Sequence, residues 1–258
     1  LYFAGQINGT SGYEEAASQG WVAGVNAALK IRGQDPFVLK RSEAYIGVMI
    51  DDLVNKNTEE PYRIFTSLAE YRLLLRIDTV YDRLLPRPYD LGLITDHVME
   101  KVSRETEVVN RIRDVVHSNK LEARAVNPYL ASIQEDGVIE TTPIEKLARR
   151  PTVELRPLLD LDGSLMPSLL DEWKGAVQRV QTESRYAGYI QKQDAEVQRF
   201  REIESKQIPE AFDYSRVQSL STEAREKLAR IQPASLGQAS RIPGVSASDV
   251  SILAVYLR

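Results

Sequence analysis

Apolar side chains recur every three or four residues along most of the chain, the spacing that is typical of amphipathic helices. This pattern predicts a helix from about Asp96 to Ser118 and a long helical stretch from about Pro167 to Lys206. We expect both apolar faces to belong to a core rather than to a coiled coil. Their members are Val98, Val102, Val109, Ile112 and Val116 in the first, and Leu170, Trp173, Val177 and Val180 in the second.

Capping residues predict where several other helices begin. Ser11 with Glu14 and Ser246 with Asp249 have the spacing of a capping box, and Thr142, Pro143 and Glu145 resemble a cap followed by a first-turn proline. With the apolar pattern, these signals predict six helices. They run from about Tyr13 to Lys30, Ala44 to Val54, Thr142 to Arg149, Ser221 to Ile231, Ala234 to Arg241 and Ala247 to Leu257.

Residues Leu1 to Ala4 are apolar and precede a glycine-spaced loop, so we expect them to form a strand. A buried strand needs neighbouring strands. Nothing downstream offers a run of strands that completes such a sheet, and the chain opens on Leu rather than Met. We therefore expect this chain to be the C-terminal part of a longer protein.

Composition excludes several kinds of chemistry. Among the 258 residues there is no cysteine, which excludes disulfides, cysteine-bound zinc, iron–sulfur clusters and thiol nucleophiles within this chain. The two histidines, His97 and His117, lack metal-ligand spacing, so we predict no metal site and no catalytic residue here. The net charge is -4, and no apolar run reaches the roughly 18–20 residues of a membrane span. We expect a cytoplasmic protein that contacts neither membrane nor DNA.

The segment GQINGTSGYEEA, residues 5–16, lies between the predicted strand and the first helix. Glycines allow backbone N–H groups to approach a ligand, and a helix N-terminus favours negative charge. The segment lacks the GxGxxG fingerprint, and the chain has no P-loop. From spacing alone it is therefore either a ligand-binding loop or a tight strand–helix turn.

Aromatic and arginine side chains alternate in PYRIFTSLAEYRLLLR, residues 61–76. Arginines contact phosphates, and aromatic rings stack on exposed bases, so this segment is a candidate RNA-binding surface. The alternative is that Tyr62 and Tyr71 belong to the core and the arginines form ion pairs. The available carboxylates are those of Asp51, Asp52, Glu59, Glu60 and Glu70.

The tail LGQASRIPGVSASDV faintly suggests a helix–hairpin–helix turn, but Ser246 replaces the second glycine that would hold a phosphate. Two helices joined by a turn are the simpler interpretation. Arg241 is a candidate contact to a partner or a phosphate, and it could equally pair with Asp249. Residues 206–258 carry seven basic and five acidic side chains, an excess too small to establish a nucleic-acid surface.

Several segments, in order, resemble signatures of the MnmG family, also called the glucose-inhibited division protein A (GidA) family. The first is GQINGTSGYEEAASQGWVAGVNAAL, which resembles the last FAD-binding element of these proteins. The others are RSEAYIGVMIDDLV at 41–54, EPYRIFTSLAEYRLLLR at 60–76, AGYIQKQ at 187–193, FDY at 212–214 and LGQASRIPGVSASDVSIL at 236–253.

The resemblance implies a flavin-dependent enzyme that, with a tRNA-modification GTPase, installs an aminomethyl-type group at C5 of the wobble uridine in tRNA. It implies FAD, NADH, methylenetetrahydrofolate and a homodimer, with the dinucleotide fingerprint and reactive cysteines upstream of this segment. The implied fold is mainly α, a helical C-terminal domain preceded by the last strand and helix of an α/β FAD-binding domain. The implied boundaries are 1–33, 34–205 and 206–258, the last being a C-terminal helical subdomain.

The same resemblance assigns residues. Gln6 would contact FAD, with backbone approach at Gly5, Asn8, Gly9, Thr10 and Gly12, although we expect this segment alone not to bind FAD tightly. Arg63, Arg72, Arg76 and Tyr71 would contact tRNA, and Arg241, Gly244 and Val245 would contact the GTPase. Leu68 stands where the family usually has arginine, and Asn57 where it has glycine. The alternatives are an independent helical RNA-binding module and a protein-docking domain, both without catalysis.

Overall fold

The computed structural model describes residues 1–55, 60–204, 206–210 and 212–257, with only the backbone of 199–204. The described residues are mainly helical, as predicted, with one short antiparallel pair, β1 (Lys120–Leu121) and β2 (Thr142–Pro143). Their helices are α1 (Tyr13–Ile31), α2 (Tyr45–Asn55), α3 (Val80–Leu84), α4 (Pro86–Asp90), α5 (Asp96–Ser118), α6 (Ala123–Ser132), α7 (Ile144–Ala148), α8 (Leu155–Asp162), α9 (Pro167–Glu172), α10 (Lys174–Glu204), α11 (Thr222–Ile231), α12 (Leu236–Ser240) and α13 (Ala247–Tyr256).

These elements form two compact units. The central unit is Arg76–Lys192, and the split unit combines Leu1–Leu75 with Gln193–Arg258. The predicted boundaries at 33/34 and 205/206 stay a prediction, and residue 205 itself lies outside the described residues. No helix in the described part of the chain is both long enough and apolar enough to cross a membrane.

Aliphatic side chains fill the core of the central unit. Helix α5 has the predicted bounds, and Val109, Ile112 and Val116 are fully buried. Val98 is 41% exposed and lies outside this core, because the buried apolar cluster includes α5 residues only from Val108 onward. The rest of the core comes mainly from α6, α7, α8 and α10.

The start of α7 differs from the prediction. Thr142 pairs with Leu121 between the two strands, and its hydroxyl donates to the Glu140 carbonyl instead of capping the helix. Pro143 is therefore the N-cap, without a side-chain cap. The Glu145 carboxylate accepts from His117 and Arg149 rather than completing a capping box.

The stretch predicted as one helix from Pro167 is two helices. Trp173, with ψ of 48°, leaves the α conformation and separates α9 from α10. Pro167 occupies the first turn of α9. The apolar stripe is confirmed, since Leu170, Val177 and Val180 are buried and Trp173 packs against them.

The beginning of the split unit also differs from the prediction. Ala4 has extended dihedral angles, yet none of the described residues forms a ladder with Leu1–Ala4, so no strand forms. Residues Gly5–Asn8 form a 3-10 turn. The N-cap of α1 is Gly12, without a side-chain cap, so the predicted Ser11 capping box is wrong.

The remaining helices of the split unit follow the sequence closely. Gly47 lets α2 lie against the preceding turn, because a Cβ there would be 2.2 Å from the Lys40 carbonyl oxygen. In the tail, Ser246 and Asp249 form the predicted capping box of α13. Helix α12 begins later than predicted because Ser235 caps it, and the tail has its own apolar core that includes Leu228, Leu236 and Leu253.

Candidate functional site

The loop Gly5–Gly12 is held in shape by one side chain of α1. Gln19, which is 5% exposed, accepts through Oε1 from the Gly5 amide at 3.1 Å and from Asn8 Nδ2 at 2.8 Å. Its Nε2 donates to Thr10 Oγ1 at 2.9 Å. Sequence reasoning missed Gln19, because an isolated glutamine on a helix gives no signal until the loop that it binds has folded back over it.

Glycine is favoured at both ends of this loop. Gly5 has φ of +82°, a left-handed conformation that side chains rarely adopt. A Cβ on Gly12 would lie 1.6 Å from Oε2 of Glu15, so any other residue would displace that carboxylate. The glycine spacing therefore has a local structural cause, whatever else the loop contacts.

The residues expected to contact FAD fall into two groups. Gln6, Asn8 and Gly9 are exposed, although Asn8 also donates to Gln19, whereas Gly5 and Thr10 are buried and hydrogen-bonded to Gln19. Gly12 is partly buried. Beside the loop lies an open cavity of about 440 Å³. Its walls include Tyr2, Phe3, Ile7, Asn8, Gln19 and Leu53.

Hydrogen bonds join this loop to the beginning of the arginine-containing segment. The Tyr62 amide donates to the Gly9 carbonyl at 2.7 Å, and the Ser11 amide donates to the Tyr62 carbonyl at 3.3 Å. Glu15, which is buried, accepts from the Ile64 amide at 3.0 Å. This bond is the largest cause, and together with a bond from the backbone amide of Glu15 and with the Arg63 charge it outweighs burial and lowers the pKa of Glu15.

Arg63 and Arg72 both present cationic groups to solvent. Arg63 is 55% exposed, with Nε 3.4 Å from Glu15 Oε1. Arg72 is exposed and forms no ion pair with any described residue. Tyr71 is half-buried. Arg76 begins the central unit, where its guanidinium pairs with Asp78 at 2.8 Å, so it is not grouped with the other two.

Three of the carboxylates proposed as partners for these arginines pair with another arginine, Arg41. Arg41, buried to 4% exposure, pairs with Asp51 at 3.1 Å, Asp52 at 2.5 Å and Glu70 at 2.7 Å. Its guanidinium also donates to the Val48 and Leu68 carbonyls. Burial acts to lower the pKa of Arg41, but the carboxylates of Glu70 and Asp52 raise it on balance. Sequence reasoning missed Arg41 because it lies outside the arginine-rich segment.

Tyr62 is a core residue, as one alternative predicted. Its ring is buried, and its hydroxyl donates to Asp52 Oδ2 at 3.0 Å. Burial first and the Asp52 charge second raise the pKa of this phenol, which keeps the proton in place. Of the other carboxylates suggested as partners, Glu60 is exposed, and Glu59 and the divergent Asn57 lie outside the described residues.

Arg241 in the tail makes an internal contact. Its Nε and Nη2 donate to the two oxygens of Asp51 at 2.7 and 2.8 Å, a bidentate pair. The alternative pairing with Asp249 is not formed, because that carboxylate caps α13 and accepts from the Ser221 amide. Gly244, with φ of +92°, lies against Glu223 and Lys227, and Val245 is partly buried in the core of the tail.

Three family models match successive parts of this chain. Residues 1–35 match glucose inhibited division protein A. Residues 96–194 match the C-terminal helical domain of the tRNA modifying enzyme MnmG/GidA, and residues 196–258 match its C-terminal helical bundle. Together these matches account for most of the chain.

Individual proteins resemble the whole chain. The tRNA uridine 5-carboxymethylaminomethyl modification enzyme MnmG of Clostridium kluyveri is 48% identical over 100% of this chain and 40% of its own length, and that of Christiangramia forsetii is 43% identical over 100% and 41%. A structure of Aquifex aeolicus GidA, at 34% identity, matches with a TM-score of 0.81 and covers 98% of this chain and 39% of that one. This chain thus spans about two fifths of the relatives' length, and it belongs to the MnmG/GidA family, whose C-terminal part it matches.

Proposed function

We propose that this chain is the tRNA- and partner-binding C-terminal part of an FAD-dependent enzyme that modifies C5 of the wobble uridine in tRNA. Relatives that match the whole chain are tRNA uridine 5-carboxymethylaminomethyl modification enzymes. The observation that carries the proposal is that one hydrogen-bonded unit contains both the Gly5–Gly12 loop and the segment with Arg63. A cofactor loop and an RNA contact joined in this way would bring flavin and base together.

Arg63 and Arg72 provide the RNA contact in this proposal. Both are exposed cations, and Arg63 is oriented by its contact with Glu15. Guanidinium groups in this state bind phosphate oxygens at little desolvation cost. Arg76 is a weaker candidate because Asp78 already holds its guanidinium.

Only some of the residues predicted to contact a flavin are accessible to it. Gln6 is exposed, and its side chain is available for contact. Asn8 and Gly9 are also exposed, but the amide and carbonyl of Gly9 and Nδ2 of Asn8 already form hydrogen bonds within the chain. Gly5 and Thr10 support the loop from inside. FAD bound here would supply the redox chemistry, and the exposed residues would hold it from one side. We therefore expect the isolated chain to bind FAD weakly, because the rest of the site would come from sequence upstream of residue 1.

The partner and the remaining reactants belong to the same proposal. The enzyme would act in the cytoplasm as a homodimer with a tRNA-modification GTPase, using NADH and methylenetetrahydrofolate. Arg241 is already bound by Asp51, and Val245 is partly buried, so neither is freely available to the GTPase. Val255 and Tyr256 on α13 are exposed apolar side chains and are better candidates for that contact.

Salt-dependent binding of tRNA to this chain tests the RNA contact. We expect Arg63→Gln and Arg72→Gln each to weaken binding and to reduce the slope of log affinity against log salt by about one, since each removes a phosphate contact. Arg32→Gln is the matched control, because Arg32 is also an exposed arginine of the split unit. Binding that is equally strong in all three variants would refute the assignment.

The same measurements separate the alternatives. A protein-docking domain without nucleic-acid contact predicts no salt-sensitive tRNA binding by the wild-type chain. An independent RNA-binding module predicts tRNA binding together with no flavin in the full-length protein. The proposal requires both tRNA binding by this chain and flavin in the full-length protein.

A further inference from the structure

A chain of polar contacts begins in the tail of the split unit. Arg241 follows α12 directly, and its Nε and Nη2 donate to the Asp51 carboxylate on α2. Asp51 Oδ2 also accepts from Arg41 Nη1 at 3.1 Å. One carboxylate oxygen is therefore shared by two guanidinium groups that lie 200 positions apart in sequence.

The contacts continue from Arg41 to the loop. The same Nη1 donates to Asp52 Oδ1 at 2.5 Å, and Asp52 Oδ2 accepts from the Tyr62 hydroxyl at 3.0 Å. The backbone of Tyr62 then bonds to Gly9 and Ser11. The contacts thus form an unbroken path from the tail to the Gly5–Gly12 loop.

Because the residues of this path are buried, the loss of a contact at one end should alter the contacts farther along it. Arg41, Asp52 and Tyr62 are all nearly inaccessible to solvent. Charges in such surroundings are poorly screened, and a buried ion that loses a partner must find another or move. If Arg241 leaves Asp51, the carboxylate keeps only Arg41 and Asn55 Nδ2 among these donors and can move closer to Arg41, which changes the contact between Arg41 and Asp52.

We propose that Asp51, Arg41 and Asp52 are positioning residues. They couple the contact between the tail and Asp51, made by Arg241, to the geometry of the Gly5–Gly12 loop. A protein that binds the tail and draws Arg241 away from Asp51 would loosen the loop through Tyr62. The coupling itself is a property of this chain. Its consequence, control of flavin and tRNA contacts by a bound partner, rests on the proposed function.

Hydrogen–deuterium exchange of this chain tests the coupling without any ligand. We expect Arg241→Gln to speed exchange of the Ser11 and Tyr62 amides about tenfold, as their local opening becomes easier. Tyr62→Phe, which removes only the hydroxyl, should do the same. Arg230→Gln is the control, because Arg230 is an exposed arginine on α11 of the same tail.

The double variant Arg241→Gln/Tyr62→Phe decides whether the path carries the effect. Coupling through Asp52 predicts that the double variant exchanges no faster at Ser11 than Tyr62→Phe alone, since the last contact is already broken. Effects that multiply would overturn the proposal. So would an Arg241→Gln effect confined to the tail, or one equally large at Ile112 in the central unit, which would indicate general destabilisation.

A second measurement separates this inference from the proposed function. In the full-length protein, coupling predicts that Arg241→Gln weakens flavin binding several-fold while Arg230→Gln does not. A wild-type protein that binds no flavin would refute the proposed function and leave the exchange result standing. A wild-type protein that binds flavin, with unchanged exchange in Arg241→Gln, would refute the coupling alone.

Discussion

The two units of this chain use different chemistry in their interiors. The central unit is filled by valine, leucine and isoleucine, and its buried polar residues are few: Thr142, Gln181 and Ser184. In the split unit, buried polar groups surround the candidate site. They are Thr10, Glu15, Gln19, Arg41, Asp52 and Asn55, with Ser235 and Asp249 in the tail. The comparison indicates that close packing of apolar side chains stabilises the central unit, whereas specific polar partners stabilise the candidate site.

The largest expected effect comes from removing the cation at the centre of the split unit. Arg41→Met leaves Asp51 and Asp52 with less compensation, which should cost about 3–5 kcal/mol of unfolding free energy. Each unit contains one of the two tryptophans, Trp21 and Trp173. Urea unfolding followed by Trp21 fluorescence in a Trp173→Phe background measures the split unit.

The control for this prediction is Arg32→Met, which removes an exposed arginine of the same unit. We expect it to change stability by less than about 0.5 kcal/mol. Equal losses in the Arg41 and Arg32 variants would show that the buried ion pairs contribute little, and the contrast between the units would then lose its basis.

The next effect is a cavity in the central unit. Leu158 is fully buried on α8, so Leu158→Ala should cost roughly 3 kcal/mol, measured by urea unfolding through Trp173 in a Trp21→Phe background. Leu161 on the same helix is 42% exposed, and Leu161→Ala should cost much less. Similar costs at both positions would contradict the view that close packing stabilises this unit.

The same contrast explains what sequence could predict. The bounds of α5 and the stripe on α9 and α10 were correct, because periodic aliphatic residues specify a buried face through local spacing alone. The capping box of α13 is also local and was confirmed. The strand at Leu1–Ala4 was wrong, because a strand depends on hydrogen-bonding partners that the segment itself does not contain.

The candidate site shows more clearly what sequence patterns cannot predict. The glycine loop and the exposed Arg63 and Arg72 could be picked out from sequence, since their residue types imply flexibility and charge. Gln19 and Arg41 could not, because each acts through partners that only the tertiary fold brings near: Gln19 through Gly5, and Arg41 through Glu70. Local patterns identify such a loop, but they do not identify what holds it.

Acid should affect the candidate site through Glu15. Its pKa lies below the ordinary value of 4.5, so its ionised form stabilises the fold above that pH, and the contribution is lost as pH falls through the lower folded value. Glu15→Gln should cost about 1–2 kcal/mol at neutral pH, because the amide oxygen accepts from Ile64 without a charge. Trp21-detected urea unfolding from pH 3 to 7 should therefore depend less on pH in the variant. An unchanged pH dependence would assign the acid sensitivity to other groups.

The smallest effect is expected at a helix cap, where both local sequence and specific partners matter. Ser246 Oγ accepts from the Asp249 amide at 3.1 Å, and Ser246→Ala leaves that donor without its cap, at a cost of about 1 kcal/mol. Ser251→Ala is the control, because Ser251 lies on the same helix, is exposed and only donates to the Ala247 carbonyl. Trp21-detected urea unfolding should show the loss for Ser246→Ala alone. Since Asp249 also accepts from the Ser221 amide, the loss should stay well below that of Arg41→Met; a comparable loss would mean that the tail, rather than the Arg41 ion pairs, controls the stability of the split unit.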